Sequence, residues 1–408
     1  MINKLPKSSA NSKPSLLVLI LLISFPPVCT VFISPGLPQI SDYFNISNNL
    51  AQQLITLFLL GYAFGQLCYP SIANHYGRKI ALYVGMTIFI ISSIICILSI
   101  IFHHFELLKI GRFIMALGAS VGMNITYTII NDYYSMQRAR TVISYVLVSI
   151  AVLPAIAIAA GGFIVTQLGW EYCIYALFVY GIIITIACYT LPETLTQENK
   201  KPIKLSTTVF GYVNAIKNLN LIYFSLVYGF CCSIIYVVAT AAPFIAMDII
   251  GIKAETYGLY LILSYGTQIL GSFLSGALSK HYKGFTVMNL GLSISTSGCL
   301  LMLGLFYFNY INIYSLILPL AVVMFGLPMI YSNATIYAIG KHSDKANGSA
   351  MMSFIVILGS FFATYVYSFI PSHSALLMPL FMLGIFFSAI VAYIFGFREF
   401  KKITESLN

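Results

Sequence analysis

Acidic side chains are nearly missing from this chain, which has 11 Asp and Glu among 408 residues. Charge of either sign is scarce: 8% of residues are charged, 59% are hydrophobic, and mean hydropathy is +0.91. Soluble domains carry roughly 25% charged residues, so too few charges exist here to clothe a water-facing surface. The surface must face hydrocarbon. Paired metal-ligand or disulfide spacing is also lacking. The eight cysteines (Cys29, Cys68, Cys96, Cys173, Cys188, Cys231, Cys232, Cys299) fall in or beside apolar runs, as small packing residues do. No G-x-x-x-x-G-K-S/T loop, HExxH or GxSxG occurs, which argues against an ATP-driven pump and against common hydrolases. The chain therefore reads as a non-enzyme with no cofactor and no metal site. A net charge of +10 suggests nucleic acid at first sight, but the basic residues sit in short gaps between apolar runs and form no stripe. Nucleic acid is not an expected partner.

What is present is a succession of long apolar runs. A spanning helix needs roughly 20 such residues. Segments that meet this test lie near 15–35, 48–73, 80–101, 107–130, 141–165 and 172–191, then 219–246, 256–279, 285–307, 313–339, 348–370 and 375–397. Lys4, Lys7 and Lys13 ahead of LLVLILLISF imitate a signal peptide. No small-x-small cleavage site follows closely, and the run continues past Pro26-Pro27, so it reads as the first span. With the N-terminus in the cytoplasm, Lys and Arg divide about 18 to 2 in favour of the cytoplasmic side. Both termini are then expected there. The expected organisation is a cytoplasmic tail 1–14, a first bundle 15–191, a cytoplasmic loop 192–218, a second bundle 219–397 and a tail 398–408. In the loop, Ile203, Leu205, Val209, Phe210, Val213 and Ile216 fit a helix lying on the inner membrane surface, and equally a solvated linker.

The halves resemble each other. Gly65 to Tyr76 reads GQLCYPSIANHY and Gly271 to Tyr282 reads GSFLSGALSKHY, aligned at an offset of about 206 residues. Parallel repeats of this kind recur in transporters, with the substrate site between the halves near the midplane. Arg112 is the most informative single residue. A cation inside a span is costly and normally faces water or a partner. It lies about six residues into its helix, roughly 9 Å along the axis, so a cavity role and snorkelling to the outer surface both stay open. No acidic residue lies deep inside a span to pair with it.

Several strings, taken in order, resemble the major facilitator superfamily and, within it, the bicyclomycin-resistance (Bcr/CflA-type) branch of drug:proton antiporters. They are SPGLP from Ser34, FLLGYAFGQLCYP with HYGRK around the second span, and RFIMALGASVGM from Arg112 to Met123. Asn131-Asp132, GGFIVTQLGW, LPETL, AAPF and SNAT continue the likeness along the chain. The resemblance implies an all-α membrane protein of 12 transmembrane helices in two pseudo-symmetric six-helix bundles, the major facilitator fold, working by alternating access. It implies a conformational role for Gly77 and Arg78, with Asp132 as a partner. Gly65 and Gly271, at matching places in the repeat, and Pro154, Gly161 and Gly162, which keep part of an antiporter-type motif, join the gating candidates. Two departures matter. Asn74 stands where the family's loop has an acid, and Val31 stands where the branch keeps its proton-carrying carboxylate.

Three explanations of Arg112 remain open: direct contact with an anionic or zwitterionic substrate, titration of Asp42 or Glu171 at the cavity mouth, or transport without proton coupling. In this superfamily the first, fourth, seventh and tenth helices line the path. That implies Arg112, Ala116, Ala119, Met123, Thr30, Tyr228, Cys232, Tyr236, Asn333 and Tyr337 as substrate-lining candidates, a mix suited to an amphipathic organic compound. The expected function is efflux of such compounds, with protons as a possible second partner, by a lipid-embedded monomer in a bacterial inner membrane. Import of an anionic metabolite and a transporter-like sensor or scaffold are the alternatives.

Overall fold

The computed structural model describes residues 13–196, 205–340, 345–371 and 374–405. Without water to bond exposed amides, a chain crossing lipid must satisfy its backbone within each segment, and helices do so. Twelve helices here are long and apolar enough to cross a membrane. In the first half these are span 1 (Leu16–Phe44), span 2 (Asn48–His75), span 3 (Arg78–Ile101), span 4 (Phe105–Tyr133), span 5 (Gln137–Gln167) and span 6 (Glu171–Cys188). In the second half they are span 7 (Leu219–Ile249), span 8 (Ala254–Leu278), span 9 (Gly284–Tyr307), span 10 (Ile313–Ile339), span 11 (Asn347–Tyr367) and span 12 (Leu377–Lys402). An even number of crossings puts residue 13, the central connection and residue 402 on one face, called here the terminal face.

The expected spans recur, with span 1 longer than its apolar run. Helix Leu16–Val31 passes through a tight turn at Ser34–Gly36 into the short helix Leu37–Phe44. Pro35 has no N–H for the carbonyl of Val31, which ends the first helix there. Polar side chains cap several other starts. Ser47 accepts from Leu50 N, Asn218 accepts from Leu221 N, and Asn312 forms a capping box with Ser315. In the central connection Leu205–Ile216 is helical. Its Ala215 is buried with Leu221 and Met351, while Phe210, Val213 and Ile216 are exposed, an apolar edge suited to the membrane surface. Ile203, like Lys4 and Lys7, lies outside the described residues.

Each half packs in the same way. Spans 3 and 4, 2 and 4, 1 and 5, and 3 and 6 touch in the first bundle, as 9 and 10, 8 and 10, 7 and 11, and 9 and 12 do in the second. Glycine permits the closest approaches. A Cβ on Gly85 would meet the carbonyl of Gly118 at 2.9 Å, and one on Gly291 would meet that of Gly326 at 2.7 Å. The bundles join along spans 2 and 11 and along spans 5 and 8. Their outer flanks expose large apolar side chains such as Ile183, Phe273, Leu300 and Phe387, which is the surface a bilayer wets.

Candidate functional site

Where the bundles meet, the side chains are aromatic and sulfur-bearing rather than charged. Span 7 supplies Tyr228, Cys232 and Tyr236 at helical spacing, so all three share one face. Tyr62, Tyr228, Tyr236, Tyr265 and Tyr331 lie within electrostatic reach of the Cys232 thiol, and Tyr127 within reach of Tyr62 and Tyr228. The Tyr62 hydroxyl donates to the Met123 sulfur at 3.0 Å. Tyr228 stacks on Tyr331 with ring centroids 5.2 Å apart, and Gln268 Nε2 donates to the Tyr331 hydroxyl. Spans 2, 4, 7, 8 and 10 all contribute, from both halves of the repeat. Such a lining offers ring faces and weak hydrogen bonds to a neutral organic molecule and holds no carboxylate to move a proton.

This region is sealed toward the face opposite the termini. Every residue of span 7 from Tyr236 to Ala246 is buried, whereas burial alternates from Ile222 to Ile235. Five hydrogen bonds cross between bundles on the sealed side: Ser34 Oγ to Ala239 O (2.5 Å), Asn48 Nδ2 to Asp248 Oδ2 (3.1 Å), Asn49 Nδ2 to Ile370 O (3.2 Å), Glu255 N to Thr166 Oγ1 (3.0 Å) and Gln167 Nε2 to Glu255 Oε2 (3.4 Å). Toward the terminal face Asn124, Tyr127, Thr128, Tyr228, Tyr331 and Thr335 stay partly accessible. Two hollows of about 380 and 400 Å³ belong elsewhere, to the flank of spans 5 and 6 and to the gap between the starts of spans 1 and 5.

Arg112 is fully enclosed, at 0% exposure. Its Nη2 donates to the carbonyls of Cys29 (3.1 Å) and Thr30 (3.4 Å), its Nη1 approaches the Met115 sulfur (3.4 Å), and its guanidinium lies 4.4 Å from the Phe58 ring centre. Cys29 and Thr30 belong to the last turn of helix Leu16–Val31, whose carbonyls have no helical donors beyond the turn at Ser34. The negative end of that helix and the ring face take the place of a counter-ion. Arg112 therefore neither snorkels nor lies open to water. The Thr30 hydroxyl bonds back to Pro26 O at 2.7 Å.

A second polar cluster forms at the terminal face. Gly77 has φ of 121°, in the region glycine favours, and starts span 3. The Glu193 carboxylate accepts from the backbone N–H of Arg78 and of Lys79, both at 3.0 Å, and caps that helix where its dipole favours an anion. Arg78 Nε meets Asp132 Oδ2 at 2.9 Å, its Nη1 donates to Ala73 O at 2.7 Å, and Thr194 Oγ1 donates to the same Asp132 oxygen at 2.9 Å. Spans 2, 3 and 4 and the chain leaving span 6 are pinned together there. Asn74 is half-buried beside the turn and has no described hydrogen bond to this cluster.

The remaining candidates scatter. Ala116 and Ala119 are buried within the first bundle. Tyr337 stacks on Phe285 with centroids 4.1 Å apart, and Asn333 Nδ2 bonds back to Met329 O, so both lie against span 9 rather than with Tyr228. Residues two apart on a helix point about 200° apart, which is why Tyr331 faces the interface and Asn333 does not. Gly65 packs span 2 on span 4 at Ser120, and Gly271 packs span 8 on span 10 at Phe325, both inside a bundle. Gly161 faces Phe32 O of span 1, while Gly162 faces Ala254 O across the bundle boundary. Pro154 is buried within span 5. Asp42 is exposed on the sealed side, within electrostatic reach of Asp248, and Glu171 starts span 6. Tyr62, Tyr127, Tyr265, Gln268, Tyr331 and Glu193 were not singled out from sequence. Continuing the Ala116–Ala119–Met123 stripe by four residues reaches Tyr127.

A family model described as Major Facilitator Superfamily matches residues 19–354. An "Uncharacterized transporter" of Rickettsia felis is 31% identical over 78% of this chain and 77% of its own length. The "Bicyclomycin resistance protein homolog" of Haemophilus influenzae is 22% identical over 86% of this chain and 88% of its own. "Multidrug resistance protein D" of Escherichia coli is 24% identical over 78% and 79%. Among solved structures, a D-xylose-proton symporter superposes with TM-score 0.76 at 14% identity, covering 93% of this chain and 96% of that one.

Proposed function

The chain belongs to the major facilitator superfamily, and from that premise we propose that it exports neutral amphipathic organic compounds by alternating access. The observation that carries this reading is the uncharged tyrosine, methionine and cysteine lining contributed by both bundles around Cys232. Relatives named for multidrug and bicyclomycin resistance support it. The protein is a multi-pass membrane transporter and not an enzyme. The Lys and Arg bias argues for both termini in the cytoplasm of the inner membrane, which makes the sealed side periplasmic and the present state inward-facing.

Alternating access then has a physical basis. The five cross-bundle hydrogen bonds of the sealed side hold the bundles shut there, and opening breaks these and parts the packing of span 5 on span 8 while spans 2, 5, 8 and 11 rock. The Arg78–Asp132–Glu193 cluster keeps the first bundle rigid during that motion. No acidic residue lies at mid-span among the described residues, so proton coupling, where it operates, uses a carboxylate near a membrane face, of which Asp248 and Glu255 accept side-chain hydrogen bonds across the bundles, from Asn48 at 3.1 Å and from Gln167 at 3.4 Å.

Import of an anionic metabolite is the second reading, drawn from Arg112 without a carboxylate. Enclosure of Arg112 against Cys29, Thr30 and Phe58 favours the neutral cargo instead. Expression in a drug-sensitive host, with accumulation of a neutral fluorescent dye followed in cells, tests the proposal. Lowered accumulation that Tyr228→Ala reverses is expected. Unchanged accumulation together with new growth on an organic acid would turn the assignment to import.

A further inference from the structure

Gln66 sits in span 2 one turn from Tyr62, and residues four apart share a helix face. The Tyr62 side chain meets Met123 of span 4, and Asn124 of span 4 donates to the backbone carbonyl of Gln66 at 3.1 Å. Gln66 is fully buried, yet neither its Nε2 nor its Oε1 has a hydrogen-bond partner. Among the described residues it is the one carboxamide with both ends buried and unpaired. The repeat places Ser272 opposite Gln66, and Gln268, which it aligns with Tyr62, is paired, since it donates to Tyr331. Tyr265, a neighbour of Cys232, likewise has a buried hydroxyl without a partner. Buried amides are almost always satisfied, so each exception needs an explanation, and one beside a cluster contributed by both bundles has a donor and an acceptor free for a bound partner.

We propose that Gln66 is a substrate-recognition residue whose cargo carries a hydrogen-bond donor and acceptor side by side, as a secondary amide or lactam does. This rests on reading the tyrosine-lined interface as the transport path, and it narrows the cargo from neutral amphipathic compounds in general to those with such an edge. A carboxamide presents N–H and C=O in one plane. It pairs with a lactam edge through two parallel hydrogen bonds while the tyrosine rings cover the apolar remainder. A site built to bond a polar edge rejects an analogue lacking it far more strongly than an apolar pocket rejects a missing methylene.

The test uses the full-length protein in liposomes and two probes, a lipophilic 2-quinolone and its N-methyl derivative, which keeps the shape but loses the N–H. The readout is the ratio of their KM values, so a general loss of activity cancels. Wild-type protein is expected to favour the N–H compound by about tenfold or more. Gln66→Leu is expected to bring the ratio close to one, with Gln66→Met as a second apolar replacement should the leucine variant fold poorly, and Gln66→Asn is expected to keep part of the preference. A wild-type protein that moves both probes equally, or a Gln66→Leu variant that keeps the tenfold preference, overturns the role of Gln66 and leaves the exporter reading standing. A wild-type protein that moves neither probe, in either direction, overturns the exporter reading and the cargo class with it.

Discussion

Spans 3 and 4 meet through Gly85 and Gly118, as spans 9 and 10 meet through Gly291 and Gly326, yet the charges around these contacts differ between the halves. The register set by Gly118 and Gly326 puts the buried Leu320 opposite Arg112. On the terminal face the first half has Arg78, Asp132 and Glu193 in one cluster. The matching turn of the second half, Lys280 to Lys283, forms no ion pair among the described residues. Backbone-to-backbone packing has therefore been kept by both copies, because any side chain at those glycines would push two helices apart. Charge has been kept by one. The first bundle carries an ionic cluster at its terminal face, whereas the second relies on apolar packing, neutral caps and the Gln268–Tyr331 hydrogen bond.

The largest effect expected follows from making the first half like the second. Arg112→Leu removes the donor that serves the Cys29 and Thr30 carbonyls, each costing about 1–3 kcal/mol when left buried without a partner. Transport should fall at least tenfold for neutral and anionic compounds alike, with a lower unfolding midpoint of the purified protein. Arg112→Lys should recover little, since a compact ammonium cannot bond the carbonyls and lie flat on Phe58 together. A loss confined to anionic compounds would instead make Arg112 a cargo ligand and revive the import reading.

Gly118→Ala and Gly326→Ala probe what the halves share. The new Cβ would lie 2.5 Å from Gly85 O in one and 2.6 Å from Gly291 O in the other, with Ser295 Oγ closer still. Each should destabilise by about 1–3 kcal/mol, the usual range for overpacking. Denaturation of the full-length protein measures both. If one substitution is tolerated and the other unfolds the chain, the equivalence of the two packing sites is lost.

Glu193→Ala is milder and belongs to the first half alone. It removes the acceptor of two backbone N–H groups at the start of span 3, a loss of about 0.5–2 kcal/mol by analogy with other caps. Glu193→Gln, which keeps one good acceptor oxygen, should fall between. The unfolding midpoint checks the order, and a glutamine variant weaker than the alanine one would remove the capping role.

The fold was legible because lipid leaves few choices: twelve apolar runs, one polar connection and a weak repeat suffice when every span must be a helix. The site was legible only in part. Arg112 drew notice by its charge, but its partners are carbonyls freed by a turn near Pro35, and no spacing in sequence announces a carbonyl. Tyr337 and Asn333 drew notice as polar residues of span 10, while Tyr331 faces the interface. Choosing between faces of a helix that is apolar all round needs the neighbouring helices, because periodicity carries no signal there. Glu193 stood in the quoted LPETL, but its cap reaches back over more than a hundred residues, 115 to Arg78 N.

The smallest effects expected separate the two sides of the tyrosine-lined interface. Tyr331→Phe takes the acceptor from Gln268 Nε2 and should cost about 1 kcal/mol, near the net value of a neutral hydrogen bond. Tyr62→Phe removes only a bond to the Met123 sulfur, a weak acceptor, and should cost less than about 0.5 kcal/mol. Both keep the ring, so KM should change by no more than a few-fold in either variant. Unfolding midpoints of the two proteins decide the order. A greater loss from Tyr62→Phe would mean that the first half organises its lining as firmly as the second. The expected order means the opposite: the second half holds a pre-formed polar wall, while the first half keeps Tyr62 loosely tied and the Gln66 amide unpaired, and so has its hydrogen bonds left to give to a cargo.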